Sequence, residues 1–191
     1  MKRRSAAIAA VLALAAGLSA CATATPYQPN IPGAAASGGY TDYQLDSNKF
    51  RVTFAGNTLT SRETVERYLL YRAAELTASQ GYDWFVLAAR DTDKTSRTYV
   101  EPSAFGPSWR YGYWRPYWSY YGPRYGWRTW DPYWGDPFWA DRVDVRTVER
   151  YAATADVVMG RGPKPATDPT AFDAREVMAN LGPSIARPAA R

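Results

Sequence analysis

The side chains that could do chemistry are few, and they fall at two places. The chain has no histidine and a single cysteine, Cys21. Lacking histidine, it lacks the group that titrates near neutral pH, the usual general base, the common nucleophilic triads and most zinc sites. A lone cysteine closes no internal disulfide. Its 18 acidic residues form no pair with a recognisable catalytic motif. This inventory argues against an enzyme, and it offers no catalytic, cofactor-binding or metal-ligating residue. The second place is the stretch 105–139. It holds seven of the eight tryptophans, interleaved with tyrosines, five prolines and the cations Arg110, Arg115, Arg124 and Arg128. Trp114, Trp118, Trp127, Trp130 and Trp134, with Arg115 and Arg128, are the candidate contact residues. Indole and phenol faces stack on sugar rings, settle at lipid headgroup depth, or anchor protein interfaces. Arginine meets acidic groups, or lies over a ring for ~0.5–1 kcal/mol at an exposed site. The same rings could instead pack on the sheet and on each other, gaining ~0.5–1.5 kcal/mol per pair beyond area burial. Their spacing does not separate these readings.

Cys21 has a context. Lys2, Arg3 and Arg4 open the chain, an uncharged apolar run follows from Ala6 to Gly17, and Leu18-Ser19-Ala20-Cys21 closes it. A basic start, a short apolar run and small residues before a cut site make a secretory signal peptide. The run is shorter than the ~20 apolar residues of a transmembrane span. Leu-Ser-Ala-Cys resembles the lipobox of bacterial lipoproteins. The resemblance covers residues 1–21 and implies removal of 1–20, lipid on the Cys21 sulfur and acylation of the new amino terminus. Several acyl chains, each buried CH₂ worth ~0.8 kcal/mol, hold a protein firmly on a membrane. Position 22 is alanine. The absence of an aspartate there resembles outer-membrane lipoproteins that face the periplasm.

Cleavage leaves 171 of the 191 residues, and three of the five net positive charges go with Lys2, Arg3 and Arg4. The mature chain is then too weakly basic for a nucleic-acid footprint. Residues 22–39 are mostly small or polar and read as a flexible tether, spanning roughly 25 Å as a coil.

The elements beyond the tether read as an α+β domain, in two parts at 40–104 and 140–185. Tyr40–Leu45 alternates weakly, with Tyr43 and Leu45 inward. Phe50, Val52 and Phe54 alternate clearly, so the two runs suggest a hairpin. Thr60 and Glu63 have capping-box spacing. Val65, Tyr68, Leu69, Ala73 and Leu76 then line one helix face, which Leu70 and Ala74 widen, and Gly81 ends the helix. Tyr82–Ala89 is nearly continuous in apolar residues, the pattern of a central strand covered on both faces. The aromatic stretch 105–139 reads as an extended or loosely ordered insertion, since its Pro and Gly spacing opposes a long helix or central strand. Val143 and Val145, then Tyr151–Val158, read as one bent strand or two. Asp173 and Glu176 cap a last helix with an Ala174, Val177, Met178, Leu181 stripe, stopped by Gly182-Pro183. A loose tail, 186–191, follows. The fold expected is a small, mostly antiparallel sheet with one main helix on it and a short C-terminal helix.

Tyr68-Leu69-Leu70-Tyr71-Arg72-Ala73-Ala74-Glu75-Leu76, then Gly81-Tyr82-Asp83-Trp84-Phe85, resembles an uncharacterised family of small proteobacterial envelope lipoproteins. Ala155-Asp156-Val157-Val158-Met159-Gly160 and the Asp173–Leu181 helix fit the same pattern. The resemblance covers 40–100 and 142–185. It implies a small α+β domain and carries no activity or ligand. Together these readings point to a membrane-anchored envelope lipoprotein with a binding or structural role. The membrane is its partner through Cys21, and a cell-wall glycan or an envelope protein is the partner of the aromatic stretch.

Overall fold

The computed structural model describes residues 23–88, 111, 113–123, 126–130 and 150–188. They form an α+β fold with a seven-stranded, mostly antiparallel sheet. Strands β1 (Gly39–Asp46) and β2 (Lys49–Ala55) lead into helix α1 (Arg62–Ser79). After β3 (Trp84–Leu87) come β4 (Tyr117–Gly122), β5 (Gly126–Trp130), β6 (Arg150–Gly160) and the two-residue β7 (Phe172–Asp173). Helix α2 (Ala174–Leu181) closes the fold.

The organising strand is β6, a single strand of 11 residues. Along one edge it pairs with all of β2, from Lys49↔Val158 to Ala55↔Ala152. Its other edge is shared end to end. β4 takes Arg150–Thr154 and β3 takes Val157–Gly160. Phe50, Val52 and Phe54 point at α1 and are buried. The period of two puts Arg51 and Thr53 on the opposite face, where they meet Asp156 and Thr154.

Tyr43 and Leu45 correct the reading of β1. They are 67% and 38% exposed. Tyr43 pairs with Arg51, so it shares the face away from the helix, and it is Tyr40, opposite Phe54, that packs on the core. β3 lies between β6 and β7 as a central strand should, yet only Phe85 is fully buried. Trp84 and Val86 point to the face away from the two described helices and are half-buried.

The expected face of α1 is buried throughout, from Val65 to Leu76. Its cap is one residue later than the capping-box spacing predicts: Ser61 is the N-cap and accepts from the Thr64 amide at 3.2 Å. Thr60 is occupied elsewhere. Its hydroxyl accepts from the Thr25 amide and donates to Asn57 Oδ1, both at 2.8 Å. At the other end Gly81 has φ +76°. The Tyr82 amide bonds Thr77 O and the Gly81 amide bonds Ala78 O. This is the double bond pattern that glycine permits without a Cβ penalty. Asp173 caps α2 by accepting from the Glu176 amide at 2.9 Å. Ala174, Val177 and Leu181 are buried and Met178 packs beside them.

Two stretches read as loose are built into the domain. Residues 23–39 are not a free tether: Thr25 and Tyr27 are 1% and 5% exposed. Tyr27 lies among Tyr40, Tyr68 and Tyr71, and its hydroxyl donates to Glu75. Arg72 bonds the same Glu75 at 2.6 Å, grips Asp42 with two nitrogens and lies 4.1 Å over Tyr40. Burial first, then the Glu75 hydrogen bond, raises the Tyr27 pKa. Burial opposes the Arg72 charge, but the Asp42 hydrogen bond and charge outweigh it, and its pKa is raised. The tail is also tied down: Ala186 O accepts from the Tyr27 amide, and Arg187 bonds the Tyr71 hydroxyl. The physical reason is that a segment too polar to form a core of its own can still complete one that α1 has begun.

The aromatic stretch is the second correction. Between Pro116 and Pro123, β4 alternates half-buried and buried residues, with Trp118 and Tyr120 inward. It pairs with β6 and then turns back as β5. Proline and glycine fall at its ends and leave the strand between them intact. Residues 105–110 and 131–149, with Val143 and Val145, lie outside the described residues, as does the signal-like segment 1–20.

Candidate contact surface on the aromatic hairpin

The seven candidate contact residues on the aromatic stretch separate into distinct environments. Trp114 and Trp118 are 0% and 1% exposed, so as the molecule stands neither offers a contact surface. Trp114 packs edge-on against Phe85 of β3 and Phe172 of β7, with ring centroids 6.3 and 6.0 Å away. Trp118 stands edge-on to Tyr151, and Arg62 of the first turn of α1 lies 5.9 Å over its ring. Both indoles belong to the core: the alternation of β4 turns Trp118 inward, and Trp114, in the segment before β4, packs beside β3 and β7. Trp130 lies in β5 opposite Trp118. Arg115 is half-buried. Trp134 and Cys21 fall outside the described residues.

Trp127 and Arg128 are exposed. Trp127 pairs with Tyr121 across the hairpin, with ring centroids 5.6 Å apart. Arg150 lies 5.2 Å over the Tyr121 ring. The result is a cation and two rings tilted 59° to each other at the hairpin tip, on the face away from α1.

A second concavity opens where the aromatic stretch meets α2. It encloses about 360 Å³ and is lined by Tyr111, Tyr113, Lys164, Phe172, Glu176 and Asn180, among others. Tyr111 forms one wall: its ring stands 5.9 Å from Phe172 and its hydroxyl accepts from Asn180 Nδ2 at 3.2 Å. Tyr113 is 54% exposed at the rim. Lys164, Glu176 and Asn180 escape sequence reasoning because Glu176 and Asn180 share a face of α2 while Lys164 lies in the loop before it, far in sequence from Tyr113. No spacing joins them to Tyr113; only the docking of α2 does.

On the face of the sheet away from α1, Arg51 grips Asp156 through Nε and Nη2 at 2.6 and 2.7 Å. The pair joins β2 to β6. Among the described residues, no group of three or more His, Cys, Asp or Glu side chains could hold a metal ion. No described helix is long and apolar enough to cross a membrane. No known protein family, curated protein or solved structure matches the chain.

Proposed function

We propose that the chain is a bacterial envelope lipoprotein, anchored by lipid on Cys21 and facing the periplasm from the outer membrane. Its role is contact rather than catalysis, and the β4–β5 hairpin makes the contact. The observation that carries this reading is how the aromatic stretch is divided. Trp114 and Trp118 bind the hairpin rigidly into the sheet, while Trp127 and Arg128 are left outside it. Exposed Trp and Arg on a rigid support are the side chains that dominate interface energies. The test begins with intact-mass spectrometry of membrane-extracted protein, native against Cys21→Ser, with inner and outer membranes separated. The reading expects a chain starting at Cys21 with acyl additions that the variant lacks. An unmodified chain retaining residues 1–20 would overturn it.

A second reading, a glycan or peptidoglycan module, draws on the concavity beside α2. Its volume falls within the ~300–1,000 Å³ of small-ligand sites. An exposed tyrosine face beside an amide, an ammonium and a carboxylate suits a sugar ring carrying polar and charged substituents. Titration of the protein with soluble peptidoglycan fragments tests it. Saturable binding that Tyr113→Ala weakens tenfold, about 1.4 kcal/mol, supports it, and no binding by the native protein removes it.

A further inference from the structure

We propose that one end of the sheet sits directly on the bilayer holding the Cys21 lipid, with Leu59 and Trp127 as its points of contact. This rests on the lipid anchor proposed above and names the partner of the hairpin tip: a phospholipid headgroup layer.

The first observation is how the N-terminal segment enters the domain. Thr23 O accepts from Asn57 Nδ2 at 2.7 Å, and Thr25 Oγ1 accepts from the Asn57 amide at 2.8 Å. The Thr25 amide in turn donates to Thr60 Oγ1. The segment is therefore sewn to the β2–α1 loop from Thr23 onward. Only Ala22 separates Thr23 from Cys21. Covalent reach then keeps the Cys21 Cα within about 7 Å of the Thr23 Cα. A lipid on Cys21 draws the β2–α1 loop down to the headgroups, and no tether holds it off.

The second observation is what else lies at that end. The loop carries Leu59, 53% exposed although large and apolar. Ala55, the last residue of β2, pairs with Ala152, and Ser119 of β4 pairs with the same Ala152. β4 then continues two residues further, to Tyr121 opposite Arg150, a step of about 7 Å past the end of β2. The hairpin tip, with exposed Trp127, therefore projects from the same end as the loop. Trp and Tyr settle at headgroup depth, where one end of the ring is apolar and the other wet. Arg150, stacked on Tyr121, is placed to meet lipid phosphate. The anchor makes these contacts intramolecular, so side chains too weak to bind a membrane alone suffice.

The chain's single cysteine makes the test direct, since lipidation consumes its thiol and leaves an introduced cysteine as the only one to label. Thr58→Cys and Pro123→Cys flank the two contacts, and Ser47→Cys sits at the far end of the sheet. Each lipidated protein, carrying an environment-sensitive fluorophore, is placed in phosphatidylethanolamine–phosphatidylglycerol vesicles with nitroxide-bearing lipids. The seating predicts about twofold quenching at positions 58 and 123, as for groups ~5–10 Å inside the interface, and little at 47. The double change Leu59→Glu, Trp127→Ala should bring position 123 to the level of 47, while position 58, kept near the headgroups by the anchor, stays quenched. Equal, weak quenching at all three sites, on protein whose mass shows the acyl chains, overturns the seating and leaves the anchor standing. Retention on isolated cell wall with position 123 unquenched also overturns it. Labelling of Cys21 itself in the protein without an introduced cysteine overturns the anchor, and the seating with it.

Discussion

Tyr27 and Asp83 make opposite demands on pH. Tyr27 is held neutral by burial and by its bond to the Glu75 carboxylate, so its folded pKa lies above the unfolded value. The folded state then binds more protons, and its stability falls as pH rises above about 10, the unfolded tyrosine value. Tyr27→Phe should cost about 1.5–3 kcal/mol at pH 7, the range for a hydrogen bond to a charged group. Thermal melts between pH 8 and 11.5 should fall less steeply for the variant. Asp83 is shifted the other way. The Arg175 guanidinium at 2.7 Å and the Gly162 amide at 2.7 Å hold its carboxyl below the usual range. Its stabilising contribution is fully present above the unfolded carboxylate pKa of about 3.9 and is lost as pH falls through the lower folded value. Asp83→Asn should therefore melt below the native protein at pH 7 and approach it in acid. Had the gap stayed constant to pH 2, the ion pair would not be its source.

At the scale of elements, β4 is where aromatic residues replace the aliphatic ones of an ordinary core strand. Trp118→Ala should cost about 3–5 kcal/mol, as large-to-small changes in cores do, whereas Trp127→Ala should stay within about 0.5 kcal/mol. Urea unfolding of the two variants checks both, and equal losses would mean that the hairpin is not part of the sheet's core. Gly160 is a second pressure point. It pairs with Trp84, and a Cβ there would run into the indole, which lies across it on the face away from the two described helices. Gly160→Ala should cost about 1–3 kcal/mol through overpacking, and Gly160→Ala combined with Trp84→Val should lose less than the two changes separately. The strands were legible where wholly apolar side chains alternate with polar ones, as in Phe50-Val52-Phe54 with Arg51 and Thr53 between them. β4 was not, because Trp and Tyr are at home both in a core and on a surface, and their pattern alone does not say which. The caps show the same limit. Asp173 was legible from spacing, but Thr60 and Ser61 offer two adjacent hydroxyls, and the competing partner Thr25 lies 35 residues away.

For the whole molecule, the N-terminal segment and the C-terminal tail meet on α1. The Tyr27 amide bonds Ala186 O at 2.8 Å, and Arg187 stands within 6 Å of both the Tyr27 and Tyr71 rings. A chain that starts at Gly39 lacks the Tyr27 ring and the Thr25 bonds together, which exposes Tyr68 and Tyr71. Urea unfolding should then show a lower midpoint and a smaller slope, because the truncated native state already exposes surface that unfolding would otherwise expose. An unchanged slope would mean that another segment closes over the two rings without the strap. The same strap would leave the lipid proposed on Cys21 no slack, so the fold would set the orientation of the domain at a membrane.

By itself the sequence determined the α+β class, the buried face of α1 and the cap of α2. Each is written in local spacing, which a period of 2 or 3.6 or a fixed motif makes visible. Only the tertiary structure decided that residues 23–38 belong to the domain, that Trp114 and Trp118 are core while Trp127 is surface, and that Tyr113 shares a concavity with Glu176 and Asn180. Those outcomes depend on which distant element is available to cover a side chain. Burial is a property of the pair of surfaces that meet, and one stretch of sequence carries only half of it.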